Sequence, residues 1–315
     1  VTTGQPGLII RPVTGPGELD LLCRLPYVRN TELAGDLRSG SRRPGWMWVA
    51  LRGDRLVARA AWWSRPGTTR PAILDVFDLA DAADVPDRVD IGARLLTAAM
   101  TTFIPEGGAI PEGVARPEYT RLVPPDWRAH AESRRPVEDR MAAVRRTGGR
   151  LLVERLDLEW RSGTPVPEPT GRLTFRPVGD RAELVGLMAQ VMDGTLDAHG
   201  QAELARMPAA AVAARQYDGE LARYESPRDW WRIAEAPGGK PAGFVIPAHN
   251  GYDPIIAYIG VLPAQRGHGY VAEILALGTR VLAGQGVPLI RANTDLANAP
   301  MARAFGRAGW ATVAH

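Results

Sequence analysis

The sequence predicts two tandem copies of one mixed α+β domain, and three echoes carry the prediction. "LIIRPV", Leu8 to Val13, returns as "LTFRPV", Leu173 to Val178, each followed by an acidic, leucine-containing helix pattern, "GELDLLCRL" and "RAELVGLMAQV". "WMWVALRGDRLVARAAWW", from Trp46, pairs with "WWRIAEAPGGKPAGFVIP", from Trp230, and both read as hairpins: apolar strand, polar turn with Gly, apolar strand. "RPAILDVFDL" pairs with "DPIIAYIGVL". Three echoes in one order indicate a duplicated domain, and two long copies are too few for a solenoid. The Pro-rich stretch "SGTPVPEPTG" reads as a linker at 162–171, which places the domains at 1–161 and 172–315.

Composition bounds the rest. At 315 residues the chain suits two domains, and 45% hydrophobic with 23% charged residues is ordinary for a globular protein with a sizeable core. A single cysteine, Cys23, excludes an intramolecular disulfide and fits a reducing, cytoplasmic setting. No apolar run approaches the ~20 residues of a membrane span, and "VTTGQPGLII" lacks the basic start and long apolar core of a signal peptide. A net charge of +3 is too mild to imply nucleic acid. Between Ala115 and Arg150 nine Arg stand against five acids, but no aromatic-interleaved motif accompanies them, so the stretch reads as a solvated face. With one Cys and five dispersed His, no metal-ligand cluster stands out.

The second copy contains one segment with chemical character. Ile255 to Val261 is uncharged and rich in β-branched and aromatic residues, a buried strand. After Gly269, the positions Val271, Ile274, Leu275, Gly278, Val281 and Leu282 lie on one face of a helix. Between them stand Gln265, Arg266, Gly267, His268, Gly269 and Tyr270. A helix start exposes N–H groups and a positive dipole end. Two glycines let an anion approach the backbone, and Arg266 adds a cation, so the loop reads as a pyrophosphate cradle or, more blandly, as a surface turn. It is not a Walker A loop, which needs GK[ST]. Ala272 alone would not exclude a dinucleotide fingerprint, but no run of parallel βαβ units with an acidic ribose ligand follows. Downstream, Gly284 and Gly286 stop the helix. Val287 to Ala292 reads as a strand, Asn298 as an N-cap with Pro300 in the first turn, and Met301, Ala304, Phe305 and Ala308 as an apolar helix face.

These residues resemble the GNAT superfamily of acetyl-CoA-dependent N-acyltransferases. That family has a strand ending in Val-x-Pro, a loop of pattern [QR]-x-x-G-x-[GA], and a helix. The corresponding segment here is Val261, Pro263 and Gln265 through Tyr270. The family's later strand, Asn-containing turn and short helix ending at a Gly-aromatic pair resemble "PLIRANTDLANAPMARAFGRAGW", which supplies Asn293, Asn298, Met301, Phe305, Gly309 and Trp310. The resemblance covers about fifty residues. It implies a mixed, largely antiparallel sheet flanked by helices in each copy, and direct acetyl transfer from acetyl-CoA to an amine. It further implies an oxyanion donor at the Val261 N–H, pantetheine contacts from Leu262, a diphosphate held by Gln265 to Tyr270, and cofactor-arm contacts from Asn298 and Asn293, the latter alternatively capping a strand end. Many members carry a Tyr where Phe305 stands, so a side-chain acid for the leaving thiolate is in doubt, although Phe305 still counts with the cofactor-site positions.

Four side chains are candidates for proton transfer: Tyr258, on the strand of Val261 and on its opposite face unless a bulge intervenes, and Asp193, Asp197 and His199 in "MDGTLDAHGQAEL". Glu235 and Asp295 are further options, Asp295 alternatively bracing its turn, and His268 suits a phosphate neighbour. In the first copy Asp81, Asp84, Asp87 and Asp90 stand where phosphates would bind, and the nearest glycine is Gly92. The first copy is therefore expected not to bind the cofactor, and either to gate substrate or to stabilise the second. The expected partner is a small-molecule amine, with no nucleic acid and no membrane, for a monomer or homodimer. Peptide lysine as acceptor, and a non-catalytic acyl-CoA-binding module, remain alternatives.

Overall fold

The computed structural model describes residues 7–81, 83, 85–103 and 117–315. Residues 1–6 of the opening segment, Asp84 of the acidic loop and Ala115-Arg116 of the basic stretch lie outside the described residues. The chain divides into two compact units, Val1–Arg150 and Leu151–His315.

Unit 1 runs β1 (Leu8–Pro12), α1 (Leu19–Leu22), α2 (Leu33–Ser39), β2 (Met47–Arg52), β3 (Arg55–Trp63), β4 (Ile73–Leu79), α3 (Arg88–Phe103), β5 (Glu118–Tyr119) and α4 (Ala131–Arg146). Its sheet has the order β1-β2-β3-β4-β5, antiparallel except for the parallel β4–β5 pair. The expected hairpin is β2–β3, turned at Gly53-Asp54 with Gly53 at φ 56°. The helix expected after "LIIRPV" is a single turn, α1, because Pro26 follows shortly after its end.

Unit 2 runs β6 (Arg155–Arg161), β7 (Thr174–Pro177), α5 (Arg181–Val191), α6 (Ala198–Leu204), α7 (Ala209–Gly219), β8 (Arg232–Ala236), β9 (Lys240–His249), β10 (Pro254–Val261), α8 (Tyr270–Ala283), β11 (Leu289–Asp295), α9 (Ala299–Arg307) and β12 (Ala311–Ala314). Its sheet order is β12-β6-β11-β10-β9-β8-β7, with β10–β11 the parallel pair. One apolar cluster joins the sheet to α8 and α9 through Ile274, Leu275, Leu282 and Phe305. A second joins it to α5 and α7 through Leu184, Met188, Val212 and Phe244.

The unit boundary falls earlier than the sequence suggested. The 1–161 domain ends instead at Arg150, and 162–171 lies inside unit 2 rather than between domains. The reason is β6. It sits between β11 and β12, ladders with β11 from Leu289↔Arg161 to Asp295↔Arg155, and buries Leu156, Leu158 and Trp160. Removing it would strip the edge strand β12 of its partner and expose the flank of β11.

The first echo has a structural cause. Arg11 pairs with Glu18 at 2.6 Å, and Arg176 with Glu183 at 2.6 Å. The same carboxylates accept the Thr14 N–H at 2.7 Å and the Gly179 N–H at 2.8 Å. Each pair ties the first strand of its copy to the chain entering the first helix. The Arg11 guanidinium and the Thr14 N–H hold the Glu18 carboxyl down at about 2, and Arg176 lowers Glu183 likewise.

Candidate functional site

The parallel pair β10–β11 is the element that makes a site. Its only register pair is Ile255↔Arg291, and beyond it the two strands share no ladder. On its other edge β10 stays paired with β9 to Val261↔Gly243, after a bulge at Ala257. The Leu262 N–H donates to the Ala242 carbonyl at 2.9 Å. Alternation along an antiparallel ladder then turns the N–H groups of Val261 and Ile259 away from β9, toward the opening between β10 and β11. Close packing keeps this strand pair together: a Cβ at Gly243 would stand 2.2 Å from the Gly260 carbonyl oxygen.

The loop into α8 supplies the second feature. Gly267 (φ 84°) and Gly269 (φ 74°, the α8 N-cap) are both left-handed, and the space where each would carry a Cβ is open. Among the described residues, the N–H groups of Gly267, His268, Gly269, Tyr270 and Val271 donate to no group of the chain. Five successive amides at the positive end of a 14-residue helix form an anion nest. The loop is one residue off the family pattern: Ala264 holds the Gln/Arg position three before Gly267, and Gln265 and Arg266 follow it.

Arg266 does not provide the expected phosphate cation. Its guanidinium donates to the carbonyls of Val191 (2.8 Å) and Asp193 (2.7 Å) at the C-terminus of α5, and to Val261 at 3.3 Å. Carbonyls at a helix end are strong acceptors for a cation, and they claim it. The cation against the loop is Arg172, which the sequence reading missed. It donates to the His268 carbonyl at 2.9 Å, pairs with Glu273 at 2.8 Å and lies 5.4 Å from the Tyr270 ring centroid. An arginine beside a Pro-rich stretch carries no local pattern, and only the fold brings it there. His268 stacks on Tyr270 with centroids 5.5 Å apart.

Asn298 caps α9, its side-chain oxygen accepting the Met301 N–H at 3.4 Å, which leaves its NH₂ for another partner. Asn293 lies within β11 opposite Asp157, exposed, and caps no strand end. Phe305 is fully buried and meets Trp310 edge-on at 5.1 Å. It belongs to the core under α9, so its place among the cofactor-contacting residues is withdrawn. Leu262 is likewise buried, its N–H committed to the Ala242 carbonyl and its own carbonyl accepting the Gln265 N–H at 2.8 Å, so both of its main-chain groups, and the Gln265 amide, are already engaged.

No family model and no curated protein matches the sequence. Solved structures do. A GCN5-related N-acetyltransferase from Sphaerobacter thermophilus superposes with TM-score 0.57 at 15% identity, over 99% of this chain and 94% of that one. The glucosamine N-acetyltransferase region of a fungal multi-domain GH3 β-N-acetylglucosaminidase superposes with TM-score 0.56 at 16% identity, over 99% of this chain and 38% of that one. The fold is that of the GNAT superfamily.

Within this GNAT fold the opposite face of β10, toward α5 and α7, carries Tyr258. The bulge at Ala257 lies upstream, so Tyr258 and Val261 keep regular alternation and point to opposite faces. Tyr258 stacks on Phe244, centroids 5.2 Å apart. Burial, and then the charges of Asp197 and Glu203, push its phenol well above the ordinary tyrosine value. It therefore stays protonated near neutral pH and cannot serve as the expected base. Asp197 is the N-cap of α6, accepting the Gly200 N–H at 2.6 Å, and stands 4.0 Å from Arg155. Asp295 is buried, accepts the Ala198 N–H at 2.6 Å and pairs with Arg155 at 3.1 Å, so it braces α6. Glu235 is held by Arg176 at 2.7 Å. His199 lies in the first turn of α6, half-buried, and Asp193 is exposed just beyond α5.

The GNAT-like corner of unit 1 differs. β4 bulges at Asp75 as β10 does at Ala257, and the Ala80 N–H donates to Val57 at 2.9 Å as Leu262 does to Ala242. Four of the amides that follow are occupied, while those of Asp87, Val89 and Asp90 have no acceptor among the described residues, so no unbroken run of free N–H groups forms. Ala83 and Val85 donate to Asp81 (2.9 and 3.0 Å), Arg88 to the Val85 carbonyl (3.1 Å) and Ile91 to the Asp87 carbonyl (3.1 Å). Asp87 pairs with Arg52 and Asp90 with Arg146, so these carboxylates are engaged inside the fold. Gly92 sits within α3, where a Cβ would stand 2.6 Å from Leu79, and is a packing glycine. Several arginines of the basic stretch are also spent internally: Arg121 pairs with Asp78 at 2.7 Å, and Arg146 with Asp90. No helix is long and apolar enough to cross a membrane, and no group of three potential metal ligands occurs, among the described residues.

Proposed function

We propose that unit 2 transfers an acetyl group from acetyl-CoA directly to a primary amine of a small molecule. One observation carries the reading: a single stretch, Val261 to Val271, presents a free N–H toward the β10–β11 opening and five unclaimed amides at the head of α8. The first suits a carbonyl oxygen that gains negative charge, and the second suits a diphosphate. Gly267 and Gly269, with open space at both Cβ positions, fit that group. The cofactor would supply an activated thioester. Its diphosphate would lie on the amides of Gly267 to Val271, and its arm against the Asn298 NH₂.

The chain's own contributions follow from the site. The Val261 N–H stabilises the tetrahedral oxyanion. An alkylammonium with a pKa near ~10 must lose a proton before it attacks. Tyr258 is protonated and Glu235 and Asp295 are ion-paired, which leaves Asp193, Asp197, His199 or solvent to receive that proton. With Phe305 buried, thiolate departs to solvent.

Calorimetry with acetyl-CoA tests cofactor uptake, and thiol release in the presence of a panel of amines tests transfer. Absence of uptake overturns the reading. Uptake without release from any amine favours a non-catalytic acyl-CoA-binding module, and release with lysine peptides but not free amines moves the acceptor to protein.

A further inference from the structure

The nest is built from two glycines with open space around them, so packing on the glycines does not hold its shape. We propose that Arg172 is the positioning residue that aims the nest, acting through the His268 carbonyl and the Glu273 carboxylate. The inference rests on the proposed acyl-CoA reading of unit 2.

The geometry runs through one peptide plane. In a trans peptide the carbonyl and the following N–H point in opposite directions. Arg172 Nη1 holds the His268 carbonyl oxygen at 2.9 Å. That contact draws the oxygen out toward Arg172 and turns the Gly269 N–H the opposite way, with the amides on either side. Gly269, which closes that plane, is a left-handed glycine, and Gly267 precedes His268 in the same conformation, so no Cβ at either glycine restrains the loop. A tether on the middle carbonyl is therefore where a single hydrogen bond has most leverage.

The same guanidinium has a second task. Glu273 lies in the first turn of α8, 5% exposed, with Oε1 held by Arg172 Nε and Nη2 at 2.8 Å. Its Oε2 is buried with no hydrogen-bond partner. A carboxylate so placed, one turn from the nest, opposes an incoming anion unless a cation balances it, and Arg172 is its ion-pair partner. Arg172 also flanks the Tyr270 ring, which fixes the side chain from a third direction. Lysine, a point charge without the fork, cannot serve Glu273 and the His268 carbonyl together.

The test is binding by the full chain, read with CoA and with acetyl-pantetheine, which lacks the diphosphate. Expected for Arg172→Ala is a loss of at least about tenfold in CoA affinity with acetyl-pantetheine affinity unchanged, and faster hydrogen exchange at Gly267 to Val271. Arg172→Lys should fall between wild type and Ala, and serves as the reading if the Ala variant does not fold. Adding Glu273→Gln to Arg172→Ala should recover part of the CoA affinity, by removing the unbalanced charge, without restoring exchange protection. CoA affinity equal to wild type in both Arg172 variants, or equal losses for the two ligands, overturns the proposal. Failure of the wild-type protein to bind CoA overturns the acyl-CoA reading itself, a separate result.

Discussion

The two strand–loop–helix corners of this protein start alike and end differently. In both, a strand bulges, pairs on to its last residue, and hands one further N–H to its antiparallel neighbour, Ala80 to Val57 and Leu262 to Ala242. Beyond that point unit 1 spends the amides of Ala83, Val85, Arg88 and Ile91 in turns built on Asp81, Val85 and Asp87, whereas unit 2 leaves five in a row unclaimed. The lesson is that the difference lies less in the sign of nearby charge than in whether the backbone has already found acceptors. Two aspartates of the unit 1 patch, Asp87 and Asp90, are partnered by Arg52 and Arg146, and the Asp81 carboxylate accepts the Ala83 N–H. What the turns on Asp81, Val85 and Asp87 remove is an unbroken run of free N–H groups.

The sharpest way to break this comparison is at the glycines. Replacing Gly267 and Gly269 together by Val forces β-branched residues into left-handed backbone, at roughly 1–2 kcal/mol each, and fills the open positions. CoA binding by calorimetry should disappear, while Asp81→Ala and Asp87→Ala should bind as wild type; parallel losses would erase the distinction between the corners.

Next in size is the reach of unit 2. A chain of residues 151–315 should fold cooperatively by circular dichroism, and one of residues 172–315, lacking β6, should not. Equal melting curves would return the boundary to the linker.

Third, the ion pairs inside unit 1 are structural. Arg42 is fully buried and held bidentate by Asp75 at 2.7 Å, with Asp36 at 2.9 Å. Asp75→Ala removes the bidentate partner, leaves the buried cation with Asp36 alone and should cost about 3–5 kcal/mol in urea unfolding; a change under about 1 kcal/mol would mean that Asp36 and water suffice for the guanidinium.

The smallest effects concern protons. Tyr258→Phe should leave the neutral-to-basic limb of any pH–rate profile where it is, because the phenol stays protonated there. A shifted limb would restore Tyr258 as a base. Acid should weaken both copies through the paired glutamates. With the folded Glu18 value depressed to about 2, its contribution is complete above the usual carboxylate range and fades as pH falls toward 2. Thermal melts of Arg11→Met across that range should show a flatter dependence than wild type, and an unchanged slope would remove Glu18 from the account.

Much of this was legible in the sequence because it is local. The hairpins β2–β3 and β8–β9, the α8 face of Ile274, Leu275 and Leu282, the Asn298 cap and the glycine loop each depend on residues a few positions apart. The echo of "RPV" marked a real ion pair, Arg11–Glu18 and Arg176–Glu183. What could not be read depends on distant partners. Arg266 looks like a phosphate ligand until α5 presents its carbonyls, and Arg172 looks like linker until it meets His268. Phe305 fits a family position and an apolar helix face equally well, and only burial decides for the core.

The insertion of β6 has a consequence for how the protein is made. At roughly 5–20 residues per second, the ribosome exposes Leu156, Leu158 and Trp160 long before it reaches Leu289, where their partner strand begins. For a time on the order of ten seconds, an apolar ribbon waits without a mate. An unpaired apolar strand is open to sticking to its neighbours during that interval, and a chaperone that shields the ribbon should raise yield without altering the finished molecule.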